Sequence, residues 1–297
     1  YQRLTELISV AYSEIPLYRE SMDQLGTAPG DICVDEDLRL LPVFTKELLR
    51  ANYPDRTTRR TGQKSYPSCT SGSTGKNFCV LEDAETAGWY RASLLLALGW
   101  SGWKIGEPHL QTGMTTTRSI DRWLKDFILR CHYVSAYELS NEKLQQTLEI
   151  IERSKIQYVW GYPGGLFLLA KYAISHQWNL PLQSVVTWGD TLYPHYRKKI
   201  EAAFQTQVFD TYGCAEGMHI AAQCEQMNYH IHELDIIVEL VDDLGVPVQP
   251  GEVGNVIVSR LHPGPMPLIR YQIGDLAVAL DGKCSCGRGL RMLRSIQ

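Results

Sequence analysis

Apolar residues at Leu4, Leu7, Ile8 and Ala11, with Tyr12 beside them, recur at the spacing of one helix face, and Pro16 closes the pattern. An amphipathic helix is therefore expected at the start of the chain. Further on, "KSYPSC" (64–69) and "NFCVL" (77–81) are extended in character and bracket a run of small and hydroxylated residues, which predicts two strands joined as a hairpin. A helix follows over "AGWYRASLLLALGW" (87–100).

From Asn141 the pattern alternates. "NEKLQQTLEIIERSK" has helical spacing through Leu144, Leu148 and Ile151; "IQYVWGY" reads as a buried strand and "GGLFLLAKYAISH" as a helix. "LQSVVTWG", "YPHYRKKIEAAFQ" and "QVFDTYG" then give strand, helix and strand. Such alternation predicts an α/β fold, a parallel sheet flanked by helices, with ligands beyond the carboxyl ends of the strands. Those ends are "WGYPGG", "TWGD" and "DTYGCAEG", rich in glycine, aromatics and acids. After about Ala222 the chain turns to short strands, prolines and a "DDLG" hairpin turn, an appended antiparallel β subdomain. The expected organisation is a helical segment over 1–60, a nucleotide- and acyl-binding core over 61–221 and a β-rich subdomain over 222–297.

The 297 residues are 44% hydrophobic and 21% charged, enough for a sizeable core. A net charge of −4 leaves no electrostatic footprint for nucleic acid, and "RTTRR" (56–60) and "RKK" (197–199) read as solvated faces. No window approaches 18 uninterrupted apolar residues, so no membrane span is expected, and no signal peptide is seen. A start without methionine suggests a fragment or a processed N-terminus. The eight cysteines (33, 69, 79, 131, 214, 224, 284 and 286) are not spaced like a small secreted scaffold, which suggests a reducing, cytoplasmic setting.

The hairpin tip "TSGSTGK" (Thr70–Lys76) carries small residues that let backbone N–H groups approach an anion, hydroxyl donors, and one lysine. It meets neither the Walker A pattern nor the nucleophile elbow. Composition alone leaves open a phosphate cradle or an ordinary mobile tip.

The order of motifs along the chain is more specific. "TSGSTGK" resembles the phosphate loop of the adenylate-forming superfamily of acyl-CoA ligases and adenylation domains. "VVTWGDTLYPHYRKKIEAAFQTQVFDTYGCAEG" is similar to its glycine-rich strand end followed by a helix and Y-G-x-x-E. "IRYQIGD" resembles its R-Y-R-T-G-D motif. "LPVFTKELLRANYP", "SRLHPGPMPLIRY" and "CSCGR" resemble the phenylacetate-CoA ligase-like branch, which includes capsule-associated homologues.

That resemblance implies roles. Thr70, Ser71, Ser73, Thr74 and Lys76, with Gly72 and Gly75, would hold the β- and γ-phosphates of ATP. Tyr212, followed by Gly213, would lie against the adenine with the Gly189 and Asp190 backbone nearby. Glu216 would ligate Mg²⁺, and Asp275 would accept hydrogen bonds from the ribose. Singly, Tyr212 also fits a core aromatic, Asp275 a turn and Glu216 a helix start. The implied chemistry is attack of a carboxylate, already ionised at neutral pH, on the α-phosphate of ATP. The resulting acyl-adenylate then passes its acyl group to coenzyme A.

Departures from the family pattern qualify this. Gly-Gly-Glu reads Trp188-Gly189-Asp190, and the arginine of R-Y-R-T-G-D is Gln272. The family's mobile C-terminal domain, which carries an adenylate-reaching lysine, is absent, so this chain alone is expected to catalyse poorly. Two alternatives stand beside the ligase: transfer to a carrier protein or other acceptor in polysaccharide or natural-product assembly, and a catalytically impaired nucleotide-binding module. The expected partners are a small carboxylic acid, coenzyme A or a carrier protein, and a second copy in a homodimer, with neither nucleic acid nor membrane.

Cys284 and Cys286 stand one residue apart beside Gly287, and Cys224 and His230 lie upstream. Three thiolates and one imidazole make a closed tetrahedral zinc site of the structural type. The alternative is four unlinked side chains, the cysteines acting as small hydrophobes. Some members of the branch carry zinc here, and their pattern aligns His230 rather than His232. Around the acyl group, Trp160, Tyr162, Pro163, Trp188 and His219 are candidate lining residues, an aromatic slot suited to an aryl or arylacetic acid. Plain core is the competing reading for each.

Overall fold

The computed structural model describes residues 2–69, 78–114, 119–137 and 139–296. They fall into two compact units: Tyr1–Leu94, Gly213–Ala221 and Asn228–Gln297 form the first, Leu95–Tyr212 and Ala222–Met227 the second. These boundaries differ from those expected, because the N-terminal helices belong with the β-rich part.

The first unit opens with α1 (Gln2–Glu14), α2 (Pro16–Leu25) and α3 (Lys46–Asn52), then β1 (Tyr66–Cys69) and β2 (Cys79–Glu82), and the start of α4 (Ala84–Trp100). The second carries β3 (His109–Gly113), α5 (Ile120–Ile128), β4 (Cys131–Ser135), α6 (Asn141–Arg153), β5 (Tyr158–Gly161), α7 (Pro163–Ser175), β6 (Ser184–Thr187), α8 (Pro194–Phe204) and most of β7 (Gln207–Cys214). β8 (Met218–Gln223), β9 (Tyr229–Ile231), β10 (Ile236–Val241), β11 (Val253–Arg260), β12 (Tyr271–Leu280) and β13 (Met292–Ile296) follow.

In the first unit α1 buries Leu4, Leu7, Ile8 and Ala11, the stripe its periodicity marks. Pro16 begins α2 instead of merely ending α1, since its missing N–H costs nothing in a first helical turn. The Tyr18 hydroxyl donates to Pro267 O (3.1 Å) and accepts from Ile269 N (3.1 Å), and Phe44 N donates to Arg270 O (2.9 Å). These bonds tie the N-terminal segment to the β-rich part. There, β10–β11–β12–β13–β9 pair antiparallel in that order. β1 and β2 pair separately, with Cys69 opposite Cys79, as the hairpin reading expected.

The second unit is the parallel layer. Its strands run β4–β3–β5–β6–β7, all parallel. Leu110, Val159, Val185 and Val208 from the sheet pack with Leu148, Leu166, Leu169, Ile200 and Phe204 from the helices into one buried cluster. Strand order reverses between β3 and β5, and ligands in such sheets sit beyond the carboxyl ends at that switch point.

Candidate functional site

The described residues of the first unit gather three chain segments around Glu216. Ser68, on the strand leading into the Ser/Thr/Gly tip, donates from Oγ to Ala215 O (3.2 Å). Phe78, where the chain leaves the tip, stacks on Tyr271 with ring centroids 5.8 Å apart. The Tyr271 hydroxyl donates to Glu216 Oε1 (2.7 Å), and Lys46 Nζ lies 3.3 Å from the same oxygen. Glu216 is almost fully buried, so this carboxylate is held by a hydroxyl and an ammonium instead of by water. Burial and then the Glu216 charge push the Tyr271 hydroxyl far above its ordinary range, which keeps it a donor. The neighbouring Cys214 thiol is pushed up by the same two causes and stays protonated.

Thr70, Ser71, Gly72, Ser73, Thr74, Gly75 and Lys76 lie outside the described residues. At their flanks Cys69 and Cys79 form a disulfide. The spacing of the eight cysteines, unlike that of a small secreted scaffold and read as a sign of a reducing setting, did not point to this pair. Antiparallel register sets the two Cα atoms directly opposite, a relation that spacing along the sequence does not reveal.

Asp275 is half-buried on β12, four residues after Tyr271. Opposite it the register shifts, with Asn255 facing Leu276 and Ile257 facing Gln272, so Asp275 stands in a bulge. Gly274 holds φ +103° there, a conformation that favours glycine. Gln272 donates to Asn255 Oδ1 (3.4 Å). His219 is buried on β8 near Tyr90 and His232, and neither of its ring nitrogens has a hydrogen-bond partner among the described residues. Burial, and then His232, lower its pKa well below the ordinary value and keep the ring neutral.

A second cluster in this unit involves the cysteine pair. His230 on β9 faces Met292 of β13, and Cys284 and Cys286 occupy the turn between β12 and β13. Cys286 Sγ is 3.3 Å from His230 Nε2, and the two sulfurs and a His230 nitrogen lie within 4.8 Å of one another. Burial pushes the Cys284 thiol up. Hydrogen bonds from Asn228, from the Cys286 backbone and side chain, and from His230 outweigh it and bring it down to about 6. Arg288 N donates to Cys286 Sγ (3.5 Å). Cys224 belongs to the short 222–227 segment of the other unit, where Gln226 N donates to its sulfur (3.3 Å) in the same i to i+2 pattern. Backbone donors aimed at sulfur suit thiolates, so the donor set fits a soft, closed-shell cation.

In the second unit, a cleft of about 410 Å³ opens where the strands end. Met114 follows β3, Tyr137 follows β4, and Tyr162 and Asp190 follow β5 and β6; Phe167 of α7 and Tyr196 of α8 also line it. Phe167 stacks on Tyr196 at 4.3 Å. Gly189 is obligatory beside this cleft: it has φ +79°, and a Cβ there would come within 2.5 Å of the Tyr162 ring. Of the five expected lining residues, Tyr162 alone borders the cleft. Pro163 is buried as the first residue of α7, and Trp188 is half-buried with its ring edge-on to Trp160 (6.3 Å). Trp160 is core: it stacks on His109 at 4.0 Å and meets Trp103 edge-on at 4.9 Å. Tyr212 is buried at the end of β7.

Sequence reasoning passed over Lys46 and Asn228, as it did Tyr137, Phe167 and Tyr196 of the cleft. Lys46 carried a signal, since a cation right after the N-cap Thr45 opposes the helix dipole and asks for an acidic partner. Asn228 carried none.

No family model matches the chain. A phenylacetate-coenzyme A ligase of Thermus thermophilus is 25% identical over 97% of this chain and 66% of its own length. One from Escherichia coli is 27% identical over 95% and 66%, and Protein CapK of Staphylococcus aureus 22% over 92% and 61%. The chain therefore spans about two thirds of the length of the curated relatives it matches. Among solved structures, 2-hydroxyisobutyryl-CoA ligase, in complex with 2-HIB-AMP and CoA, matches 98% of this chain and 72% of its own with a TM-score of 0.80 at 20% identity. That likeness shows a shared fold. Together with the sequence relatives, it fits the phenylacetate-CoA ligase-like branch of the adenylate-forming enzymes.

Proposed function

We propose that the chain serves in ATP-dependent activation of a carboxylic acid to an acyl-adenylate, followed by thioester formation with coenzyme A. The observation that carries this reading is the convergence on buried Glu216 of both flanks of the Ser/Thr/Gly tip and of Tyr271 in the I-R-Y-Q-I-G-D strand. In this reading Thr70, Ser71, Ser73, Thr74 and Lys76 bind the β- and γ-phosphates, and Glu216 holds Mg²⁺, with Lys46 balancing its charge until the metal arrives. Asp275 takes the ribose, and Tyr212, Gly189 and Asp190 serve the adenine. Charge that builds on phosphate oxygens during the displacement would be stabilised by these donors and cations, which is the main source of rate in such transfers. The acid itself needs no general base.

The acyl group is assigned to the aromatic cleft beside Tyr162, and an aryl or arylacetic acid fits its Tyr137, Phe167 and Tyr196 walls. Zinc is assigned to Cys284, Cys286, His230 and Cys224. Its role would be to fix the turn after β12, with no part in the chemistry. A cytoplasmic location and a homodimer belong to the same reading. The test is acid-dependent pyrophosphate–ATP exchange over a panel of aryl and alkyl acids, on the full-length protein. Exchange with aryl acids and thioester formation with coenzyme A are expected. Acyl transfer only to a carrier-protein thiol would change the acceptor, and no exchange with any acid would leave a nucleotide-binding module.

A further inference from the structure

Helix α5 is amphipathic with its faces reversed. Ile120, Trp123, Leu124, Phe127 and Ile128 fall at i, i+3, i+4, i+7 and i+8, the stripe that a surface helix normally turns to its core. Here those five side chains are 51–86% exposed, whereas Asp126, on the opposite side of the helix, is buried. The exposed rings are ordered against each other: Trp123 stacks on Phe127 with centroids 5.9 Å apart. Among the described side chains of this helix only Asp126 is buried, so the helix contacts its own unit along that side and presents its apolar stripe outward. Water contact with that stripe is unfavourable in proportion to its area.

We propose that this stripe is the contact surface for a second copy of the chain. From typical side-chain areas the five residues expose on the order of 600 Å² of apolar surface, the upper end of what a monomer tolerates. Two such stripes together bury about 1,200 Å², where specific interfaces begin. The stripe also suits a two-fold axis. Ile120, Leu124 and Ile128 are spaced one turn apart about a central leucine. In an antiparallel pair Leu124 meets its own counterpart, and each isoleucine meets the other isoleucine of the second copy, with an aromatic pair flanking on each side. A lipid surface suits it less, because the helix carries only two cations, Arg122 and Lys125, whereas interfacial helices are rich in lysine and arginine on their polar face. This surface stands apart from the residues assigned to catalysis, so its test does not depend on activity.

Sedimentation velocity of the wild-type chain across about 1–100 μM is expected to show a monomer–dimer equilibrium. Leu124→Glu and Phe127→Glu are each expected to weaken it at least about 100-fold, with the far-UV spectrum unchanged and the thermal midpoint matching that of wild type at dilutions where both are monomeric, because both positions are exposed. Leu124→Cys is expected to give a reductant-sensitive covalent dimer that wild type does not form under the same mild oxidation. A wild type that stays monomeric throughout the range overturns the proposal, as does a dimer that survives both glutamate variants. Co-flotation of a monomeric wild type with phosphatidylcholine–phosphatidylglycerol vesicles, lost in Phe127→Glu, also overturns it and assigns the stripe to a membrane surface.

Discussion

Glu216 in the first unit and Trp160 in the second are both buried residues to which the sequence drew attention, and their surroundings are opposite. Glu216 is enclosed by a hydroxyl and an ammonium drawn from positions 271 and 46. Trp160 is enclosed by the rings of His109 and Trp103. A buried charge persists only where paired groups replace water, and the proposed function makes use of that pairing. A buried indole is held mainly by contact area, which the rings around Trp160 supply, although its Nε1–H has no hydrogen-bond partner among the described residues. Burial alone does not separate a site from a core; the chemistry of the first neighbours does.

The largest expected effect concerns the thiolate cluster, the other polar centre of the first unit. Cys284→Ser and Cys286→Ser are expected to lose stoichiometric zinc and at least about 4 kcal/mol of stability, since metal-binding energy is folding energy. Metal analysis beside denaturant unfolding checks this, and metal-free wild type of undiminished stability removes the site. Trp160→Ala should cost about 3–5 kcal/mol through the cavity it leaves, while the acid preference of pyrophosphate exchange stays as in wild type. A changed acid preference would move Trp160 from core to site.

Glu216→Gln keeps an acceptor for Tyr271 but removes the charge. It is expected to lower pyrophosphate exchange about 100-fold, roughly 2.7 kcal/mol, with a far smaller change in unfolding midpoint. An unaffected exchange rate would dissolve the contrast with Trp160. The smallest effect is on pH. The Cys284 pKa is lowered from the ordinary thiol value to about 6, so the stabilising thiolate persists above that value and is lost as pH falls through it. Zinc retained after dialysis is expected to be full at pH 8 and to weaken about tenfold per unit below 6. Retention that does not vary between pH 5 and 8 would contradict a thiolate ligand at this position.

Much of this was legible along the chain because it depends on local rules. The periodicity of α1, the alternating run from α6 to β7 and the "DDLG" turn, where Asp242 Oδ1 accepts from Leu244 N and Val246 N (both 2.9 Å), need only neighbours within a few residues. The motif order also placed Glu216 and the Tyr271 strand in one reading before any contact was known. Three things were not legible. The N-terminal helices show an apolar stripe but not what covers it, so their membership in the β-rich unit was missed. The Cys69–Cys79 pairing depends on hairpin register. The aromatic walls at Phe167 and Tyr196 come from two helices, and Trp160, the obvious aromatic in sequence, lies on a strand buried on both faces.

The sequence by itself therefore determined the element types, the α/β layer order and the short list of candidate acids, glycines and cysteines. Hydrogen-bond geometry, side-chain period and turn chemistry act over a few residues, and they leave their mark on the order of letters. Only the tertiary structure decided which of those residues meet. Lys46, Glu216 and Tyr271 are separated by scores of residues, and pairing so distant is set by packing of whole elements, which no local pattern encodes.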